Sequence, residues 1–364
     1  MTSATFDASV VICAYTEARW DGLLACVRSV QRQTTPPREI IVVIDHNPAM
    51  LGRVRKEALG VVAVDNVQLP GASGARNAGV EVARGSIVVF IDDDAKAAPD
   101  WLAQLLAHYA DPRVLGVDGL IEPSWVHGRP RWFPDEFNWT VGCTYRGMPE
   151  ETTPIRNLIA ANMSVRRDVY QALGGFRAGF GNVKVEGRAS LLRLHPRAGD
   201  EEAEFCIRGL QRWPQRVWLH EPRAKVSHLV PAQRGRGRYF LSQCYDEGLG
   251  AAMIVDSLGR QDGLSLEREY TLHVLPQGVA RGIADAVLRR DVTGVARSTA
   301  IVAGFAMTAL GYILGRSLGR FVRDRETIVP RSVGQAAYPS WLRRVGVLVG
   351  TQTSGDKSKA RAKL

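Results

Sequence analysis

Cysteine is scarce in this chain: five copies occur in 364 residues, and no two of them form a Cys-x-x-Cys pair. An odd number of scattered cysteines fits a reducing compartment better than a disulfide framework. The first residues, Met-Thr-Ser-Ala-Thr-Phe-Asp, contain neither a basic nor an apolar stretch, so no secretory signal is visible. We therefore expect a cytoplasmic protein, and the length predicts about two domains.

Motifs for nucleic-acid recognition are also missing, although the net charge is +10. The sequence has no zinc-finger spacing, no ribonucleoprotein motif and no interleaved aromatic platform. Arginines gather between Arg188 and Arg238 and again from Arg281 to the C-terminus. This distribution suits nucleotide phosphates or anionic lipid headgroups, and we expect no nucleic-acid partner.

Uncharged stretches of membrane length are rare, and the one at residues 298–315 is flanked by Arg297 and Arg316. It lies at the lower length limit for crossing a bilayer and is rich in Gly, Ala, Ser and Thr. Three interpretations stay open: a single membrane span, an in-plane interfacial helix with basic anchors, or a helix buried in a domain or oligomer. Membrane contact is favoured, which predicts a peripheral protein on the inner face of the cell membrane.

Strand and helix patterns alternate through the first half of the chain. Short apolar strands are predicted at 9–14, 40–44, 61–64 and 87–91, with helices at 21–33 and 74–83. This alternation predicts an α/β fold with a mostly parallel, doubly wound sheet whose strands end at one edge. We predict an α/β domain at 1–250 with a mobile loop at 182–199, a helical region at 251–348 and a disordered basic tail at 349–364.

The most informative stretch is 87–94, where an apolar run ends in Asp92, Asp93 and Asp94. Burying unpaired carboxylates is expensive, so three of them beside a core need a cation or open water. Ligands bind at the strand ends of open α/β sheets, and hard divalent cations take oxygen ligands. Asp92 and Asp94 are therefore predicted to bind Mg²⁺ or Mn²⁺ and, through it, a diphosphate. The alternative is a solvated loop or the N-cap of a helix that begins at Trp101.

Polar residues follow the other predicted strands at the same edge. Tyr15 and Glu17 come after the first strand, and Asp45 comes after the second, where a carboxylate can accept from a base N–H or a ribose hydroxyl. A Gly-rich turn at 71–79 lets the backbone approach a ligand, and its Arg76 can pair with a phosphate or with the carboxylates. Each feature could be an ordinary turn, but their agreement on one edge indicates a nucleotide site.

The order of these motifs resembles glycosyltransferase family 2 over roughly residues 7–250. The motifs are Cys-Ala-Tyr-Thr-Glu, Ile-Val-Val-Ile-Asp, Gly-Ala-Arg-Asn-Ala-Gly, Phe-Ile-Asp-Asp-Asp, Ala-Asn-Met-Ser-Val-Arg-Arg with Gly-Gly-Phe, and Asp-Glu-Glu-Ala-Glu-Phe-Cys-Ile-Arg. The resemblance implies the GT-A fold, a nucleotide sugar (UDP is preferred) bound through Mn²⁺ or Mg²⁺, and inversion at the anomeric carbon. It implies these nucleotide-sugar-binding residues: Ala14, Tyr15, Glu17, Asp45, Asn47, Arg76, Asn77, Asp92, Asp93 and Asn162.

The acidic cluster at 200–204 matches the family's catalytic base. Inversion by a single displacement needs such a base, because the acceptor hydroxyl must lose its proton as it attacks. The resemblance puts Glu202 at the base position with Glu201 beside it. Glu stands where Asp is commoner, which leaves the base open between the two. An acidic helix N-terminus stabilised by the macrodipole accounts for the same charges.

Two further basic features follow. His228 comes after another apolar segment, and the resemblance implies a ligand of the metal or diphosphate, with a structural histidine as the alternative. Arg234 and Arg238, with the aromatic residues next to them, resemble the branch of the family that includes glucosyl-dolichyl phosphate glucuronosyltransferases. Arginines there can bind an acceptor phosphate, or they can form a solvated basic face.

Two rival functions are disfavoured by motifs that the sequence lacks. A dinucleotide-dependent oxidoreductase would need Gly-x-Gly-x-x-Gly after the first strand, and Tyr-Thr-Glu stands there. A processive synthase would need Gln-x-x-Arg-Trp, whereas 211–213 read Gln-Arg-Trp. A nucleotidyltransferase that activates a sugar phosphate and a non-catalytic glycan- or membrane-binding module stay as alternatives. We predict transfer of one sugar to a lipid-linked or glycan acceptor at a membrane surface, in glycolipid or polysaccharide synthesis.

Overall fold

The computed structural model describes residues 7–57, 59–177, 201–258 and 269–326. Residues up to Arg316 belong to one compact unit, and Ser317–Leu364 form a second, of which the structure describes 317–326 as helical. The predicted loop at 182–199 and the predicted tail at 349–364 lie outside the described residues. The predicted boundary at residue 250 falls inside a helix of the first unit, Gly237–Leu258.

The described residues form one mixed sheet of nine strands, in the order β3-β2-β1-β4-β8-β6-β9-β5, with β7 paired to β9. β1, β2, β3 and β4 pair in parallel, and β8 enters antiparallel between β4 and β6. The strands are β1 (Ala8–Ala14), β2 (Glu39–Ile44), β3 (Val62–Asp65), β4 (Ile87–Asp92), β5 (Ala95–Ala97), β6 (Val114–Trp125), β7 (Thr153–Ile155), β8 (Asn162–Arg166) and β9 (Val217–Val230).

Six helices cover the two faces of the sheet. Because strand side chains alternate, Val10 and Ile12 of β1 pack with α1, α2 and α4, while Val11 packs with α3, α5 and α6. Gly79 lets α3 approach β1, since a Cβ there would lie 2.4 Å from Val11. The helices are α1 (Trp20–Gln31), α2 (Pro48–Lys56), α3 (Ala72–Val82), α4 (Trp101–Leu106), α5 (Arg167–Ala172) and α6 (Glu201–Arg212). The predicted doubly wound α/β fold is confirmed.

Three long helices follow the sheet: α7 (Gly237–Leu258), α8 (Leu275–Leu288) and α9 (Thr293–Glu326). They pack through glycines at backbone distance. A Cβ on Gly248 of α7 would lie 2.0 Å from the carbonyl oxygen of Thr308, and one on Gly294 of α9 would lie 2.1 Å from that of Gly282. The predicted C-terminal helical extension is confirmed, and Thr293–Ser317 of α9 is long and apolar enough to cross a membrane.

Candidate active site

The parallel strands bring their carboxyl ends to one edge of the sheet. Ala14 of β1 lies opposite Ile44 of β2, and Cys13 lies opposite Asp92 of β4. The residues after these strands therefore meet in space, although they are far apart in the sequence. Ala14 is itself buried, and Tyr15 is partly exposed just beyond it.

Asp92, Asp94 and His228 converge at this edge. β5 pairs antiparallel with the end of β9, so that Ala95 lies opposite His228 and the Leu229 N–H donates to the Asp94 carbonyl oxygen. His228 Nε2 is 3.0 Å from Asp94 Oδ1 and 3.9 Å from Asp92 Oδ2. Their possible ligand atoms lie within 4.8 Å of one another. The structure thus assembles the three residues predicted as metal ligands.

The donor set fits a divalent cation. Two carboxylates and an imidazole suit Mn²⁺, and carboxylate oxygens suit Mg²⁺. The buried Oδ1 of Asp94 has no partner other than His228 among the described residues. The side chain of Asp92 is 36% exposed, which leaves the cluster open on one side. Asp92, Asp94 and His228 would hold the ion.

Electrostatics favour the charged forms of Asp94 and His228. Burial would raise the pKa of Asp94, but contacts with His228 and Arg19 outweigh it and lower that pKa to about 2. Burial would lower the pKa of His228, but its contacts with Asp94 and Cys143 raise that pKa to about 10. The carboxylate of Asp94 therefore attracts positive charge to this position, and a metal ion that binds His228 Nε2 would displace the proton held there.

Arg19 makes ion pairs with two of the three consecutive aspartates. Its Nη1 lies 2.9 Å from Asp93 Oδ1 and 3.0 Å from Asp94 Oδ2. Asp93 is buried, and burial raises its pKa to about 7 against the attraction of Arg19. The structure therefore does not bring Asp93 to the ligand edge, where it had been predicted to contact the nucleotide sugar. Arg19 was not predicted, because only the fold shows that the turn after β1 faces these carboxylates.

Arg76 joins the candidate metal ligands to the start of α6. Its guanidinium lies 3.5 Å from Asp92, 2.8 Å from Glu201 and 3.5 Å from Glu202. Helix α3 places it there after a turn in which Gly71 has a φ of +118°. Arg76 is predicted to pair with a phosphate or with the carboxylates, and the structure shows it paired with the carboxylates.

Glu201 and Glu202 differ in their surroundings. Glu201 is buried against Arg76, whereas the side chain of Glu202 is 13% exposed. Glu202 Oε2 accepts no hydrogen bond from any described residue. Burial and the neighbouring charge of Glu201 raise the pKa of Glu202 to about 8. Glu202 is therefore poised to gain or lose a proton near neutral pH.

The nucleotide candidates beyond β1 and β2 form a supported loop pair. Asp45 accepts from Asn66 Nδ2 at 2.6 Å and from the Gly71 N–H at 3.0 Å. Asn47 caps α2 and also donates to the Tyr15 carbonyl oxygen at 3.2 Å. These hydrogen bonds fix the positions of Asp45 and Tyr15. Asn47 joins the loop after β1 to the start of α2. Glu17 is exposed and lies 3.6 Å from Arg53.

Two predicted contact residues lie inside the framework instead. Asn162 is fully buried, accepts from the Trp101 indole at 2.6 Å and donates to the Ala224 carbonyl oxygen at 2.8 Å. Asn77 donates to the Phe176 carbonyl oxygen and accepts from Tyr170. The structure does not bring either amide to the edge, because Asn162 joins β8 to α4 and β9, and Asn77 joins α3 to α5 and the turn that follows it.

The two predicted acceptor arginines are placed differently. Arg234 is partly exposed, donates to the Val141 carbonyl oxygen at 3.4 Å and contributes to lowering the pKa of Asp94. It therefore lies close to Asp94, one of the three candidate metal ligands. Arg238 is exposed in the first turn of α7.

Comparisons with known proteins identify the family of this chain. The model for Glycosyl transferase family 2 matches residues 9–174. Glucosyl-dolichyl phosphate glucuronosyltransferase of Haloferax volcanii is 35% identical over 229 residues, which are 60% of this chain and 68% of that protein. Succinoglycan biosynthesis protein ExoM of Rhizobium meliloti is 25% identical over 236 residues, 61% of this chain and 69% of that protein.

A solved structure supports the fold. The mannosyltransferase PcManGT from Pyrobaculum calidifontis, in complex with GDP-Man and Mn²⁺, superposes with a TM-score of 0.53 at 16% identity, over 84% of this chain and 89% of that one. The predicted family and enzyme class are confirmed. The chain therefore belongs to glycosyl transferase family 2 and is a nucleotide-sugar glycosyltransferase with the GT-A fold.

Proposed function

We propose that this enzyme uses Mn²⁺ or Mg²⁺ and moves one sugar, with inversion, from a UDP-sugar to a lipid-linked acceptor at a membrane. The observation that carries the proposal is the convergence of Asp92, Asp94 and His228 beside Glu202, with Arg76 between them. A bound divalent ion would supply positive charge to the leaving diphosphate. UDP and inversion rest on the family resemblance.

Glu202 is our choice for the general base. The acceptor O–H bond breaks as the proton passes to Glu202, the oxygen bonds to the anomeric carbon, and the bond from that carbon to phosphate breaks with its electrons on the diphosphate. Glu202 has an oxygen with no hydrogen bond from the described residues and a pKa of about 8, which suits proton transfer near neutral pH. Glu201 is held by Arg76 at 2.8 Å and orients that arginine.

The acceptor class is inferred from a relative and from charge. The 35% identical relative is named for a glucosyl-dolichyl phosphate acceptor. Arg234 lies next to the metal-binding residues, where a guanidinium can bind an acceptor phosphate. Arg238 is exposed one turn further on and can extend this positive surface. A lipid-linked phosphate fits both observations better than a neutral glycan does.

Membrane contact is supported by the outer face of α9. The large apolar residues Val302, Phe305 and Ile313 are exposed, and Val302 is 58% exposed. The buried side of the same helix carries Gly304 and Gly311. A helix of a water-soluble domain normally turns its large apolar residues toward the core. Here Gly304 and Gly311 face the protein together with the buried Ile301, while Val302, Phe305 and Ile313 face outward, as expected for contact with lipid.

The dimensions and charges of this face also suit a bilayer surface. From Val295 to Ile313 it extends about 27 Å at 1.5 Å per residue. Exposed Arg289 and Arg290 follow α8 at the turn into α9 and suit anionic headgroups. Helix α9 packs against α7 and α8 through glycines, so one side is available to lipid. We therefore favour an in-plane interfacial helix, with the protein on the inner face of the cell membrane.

The activity is tested with a thermal-shift panel of nucleotide sugars, with and without Mn²⁺. A ligand at a hundred times its Kd stabilises by about 2.7 kcal/mol. We expect a UDP-sugar to stabilise the protein only with Mn²⁺, and Asp94→Asn to remove the shift. Equal shifts without the metal would contradict metal dependence. Exchange of pyrophosphate into an NTP in the presence of a sugar 1-phosphate would support a nucleotidyltransferase instead.

The membrane contact is tested by flotation with vesicles that contain about 30% anionic lipid, because anionic headgroups attract basic residues at the membrane surface. Replacing both Val302 and Phe305 by Lys should prevent flotation, because two charges would enter the apolar face. Val67→Lys, on an exposed loop, is the matched control and should float like the wild type. Flotation of the double variant would remove α9 from the proposal.

A further inference from the structure

The imidazole of His228 is contacted at both of its nitrogens. Nε2 faces Asp94 Oδ1 at 3.0 Å, while Nδ1 lies 3.7 Å from Cys143 Sγ. His228 and Cys143 are both buried, so neither ring nitrogen is open to bulk water. The thiol is therefore the hydrogen-bond partner of His228 on the side away from the carboxylates.

A tight turn holds Cys143 beneath the ring. The 3₁₀ helix Asp135–Val141 ends at Gly142, whose φ is +78°, and the Cys143 N–H donates to the Asn138 carbonyl oxygen. A Cβ on Gly142 would lie 3.5 Å from His228 Cε1, so the turn passes directly against the imidazole. The thiol can donate to the Val141 carbonyl oxygen at 3.8 Å, which turns a sulfur lone pair toward Nδ1.

Helix α8 and its preceding residues anchor this turn from the other side. Tyr270 donates to the Glu136 carbonyl oxygen at 2.7 Å, and Arg281 pairs with the Glu136 carboxylate at 2.8 Å. The Trp139 indole also donates to Tyr270 at 3.1 Å. Cys143 is therefore held by a braced backbone, and it can in turn hold the ring of His228.

We propose that Cys143 is a positioning residue for metal binding. A histidine that binds a metal through one ring nitrogen keeps a proton on the other, and the group that accepts a hydrogen bond from this N–H sets the tautomer and the ring orientation. Cys143 Sγ accepts a hydrogen bond from the Nδ1–H of His228 and so directs Nε2 toward Asp92 and Asp94. This inference rests on the proposed metal dependence. The motif at Asp92–Asp94 gives no sign of this thiol. Cys143 takes the place beside Nδ1 where an oxygen acceptor would also fit.

The test is a Mn²⁺ titration of the purified full chain by electron paramagnetic resonance, without substrate. Cys143→Ala and Cys143→Val should each weaken Mn²⁺ binding by about 10–100-fold, as loss of an outer partner does. Cys143→Ser restores an acceptor on a shorter arm and should bind more tightly than the Ala variant. Cys244→Ala removes another buried thiol, in α7, and should leave the affinity unchanged.

A second readout follows the tautomer. In the Mg²⁺-loaded protein, the ¹⁵N resonances of His228 should report a proton on Nδ1 for the wild type and a mixed population for Cys143→Ala. Wild-type Mn²⁺ affinity in the folded Ala and Val variants, or a Ser variant no better than Ala, would overturn the role of Cys143. If His228→Ala also binds Mn²⁺ like the wild type, the proposed metal site itself fails, so the two failures are distinguishable.

Discussion

Strand β9 carries two histidines that each pair with an aspartate, one in the interior of the sheet and one at the ligand edge. His220 and Asp118 lie 2.8 Å apart and are both fully buried, and His228 and Asp94 lie 3.0 Å apart. Asp118 also accepts from the Ile159 N–H, which closes its surroundings. His228 instead has a second carboxylate, Asp92, on the exposed side. A histidine–aspartate pair by itself therefore indicates little. A second carboxylate that is partly exposed to solvent makes one of the two pairs a candidate metal site.

The carboxylates of α6 repeat this contrast. Glu204 is fully buried and pairs with Arg208 at 2.7 Å and Arg177 at 2.9 Å. Glu202, on the same helix, keeps contact with solvent and pairs with Arg76 only at 3.5 Å. Two glutamates of one acidic cluster thus differ because one faces the core and the other faces the edge. Enclosed acids are expected to contribute stability, and open ones to contribute chemistry.

The largest effect is expected for the two glutamates. Glu202→Gln should lower kcat by about 100–10,000-fold, because the acceptor proton loses its base. Binding of Mn²⁺ and donor should persist, since the amide is nearly isosteric. Steady-state kinetics and calorimetry measure the two quantities. Glu204→Gln should lower Tm and keep the kcat of the folded enzyme; equal losses of kcat in both variants would remove the contrast.

The two aspartates give the next comparison. Asp94→Asn should weaken Mn²⁺ binding by more than the about 10–100-fold that an outer partner contributes, because a ligand loses its charge. Asp118→Asn should leave Mn²⁺ affinity unchanged, since Asp118 pairs with His220 away from the edge. Titration with Mn²⁺ at fixed pH checks both variants. A shared loss of affinity would show that the enclosed pair also supports the metal.

The enclosed pair should affect stability instead. His220→Ala leaves the buried Asp118 without its partner, which should lower the free energy of unfolding by about 1–3 kcal/mol. Urea denaturation with and without Mn²⁺ measures this change. The increase in the free energy of unfolding on adding Mn²⁺ should be the same for His220→Ala as for the wild type. A smaller gain would place His220 among the residues that bind the ion.

The smallest effect is a pH dependence of stability. The pKa of Glu202 is about 8 in the folded protein and ordinarily 4.5, so the folded state binds this proton more tightly than the unfolded state does. The stability that the protonated form contributes is complete below about pH 4.5 and is lost as the pH rises through about 8. Glu202→Gln should therefore raise Tm relative to the wild type at pH 9 more than at pH 5. Glu122→Gln, on the exposed part of β6, is the control. If Tm changes with pH in the same way in the wild type and in both variants, the raised pKa of Glu202 is contradicted.

The sheet edge was predictable because it depends on local patterns. β1, β2 and β4 are short apolar runs, and each is found within about a residue of its predicted position. Parallel pairing then brings Asp45, Asp92 and Asp94 to one edge. Asn77 and Asn162 were assigned by motif position, which does not say which way a side chain points. Their partners, Phe176 and Trp101, are set by packing between distant segments.

By itself, the amino-acid sequence determined the four parallel strands β1 to β4, the edge that carries the acids, the family, and the uncharged stretch in α9, because these follow from hydrophobic periodicity and short motifs. Only the tertiary structure decided that Asp93 is paired internally with Arg19, that Glu202 faces the edge while Glu204 does not, and that Cys143 lies under His228. Those outcomes depend on burial and on distances between segments remote in the chain, and the raised pKa values of Asp93 and Glu202 follow from them.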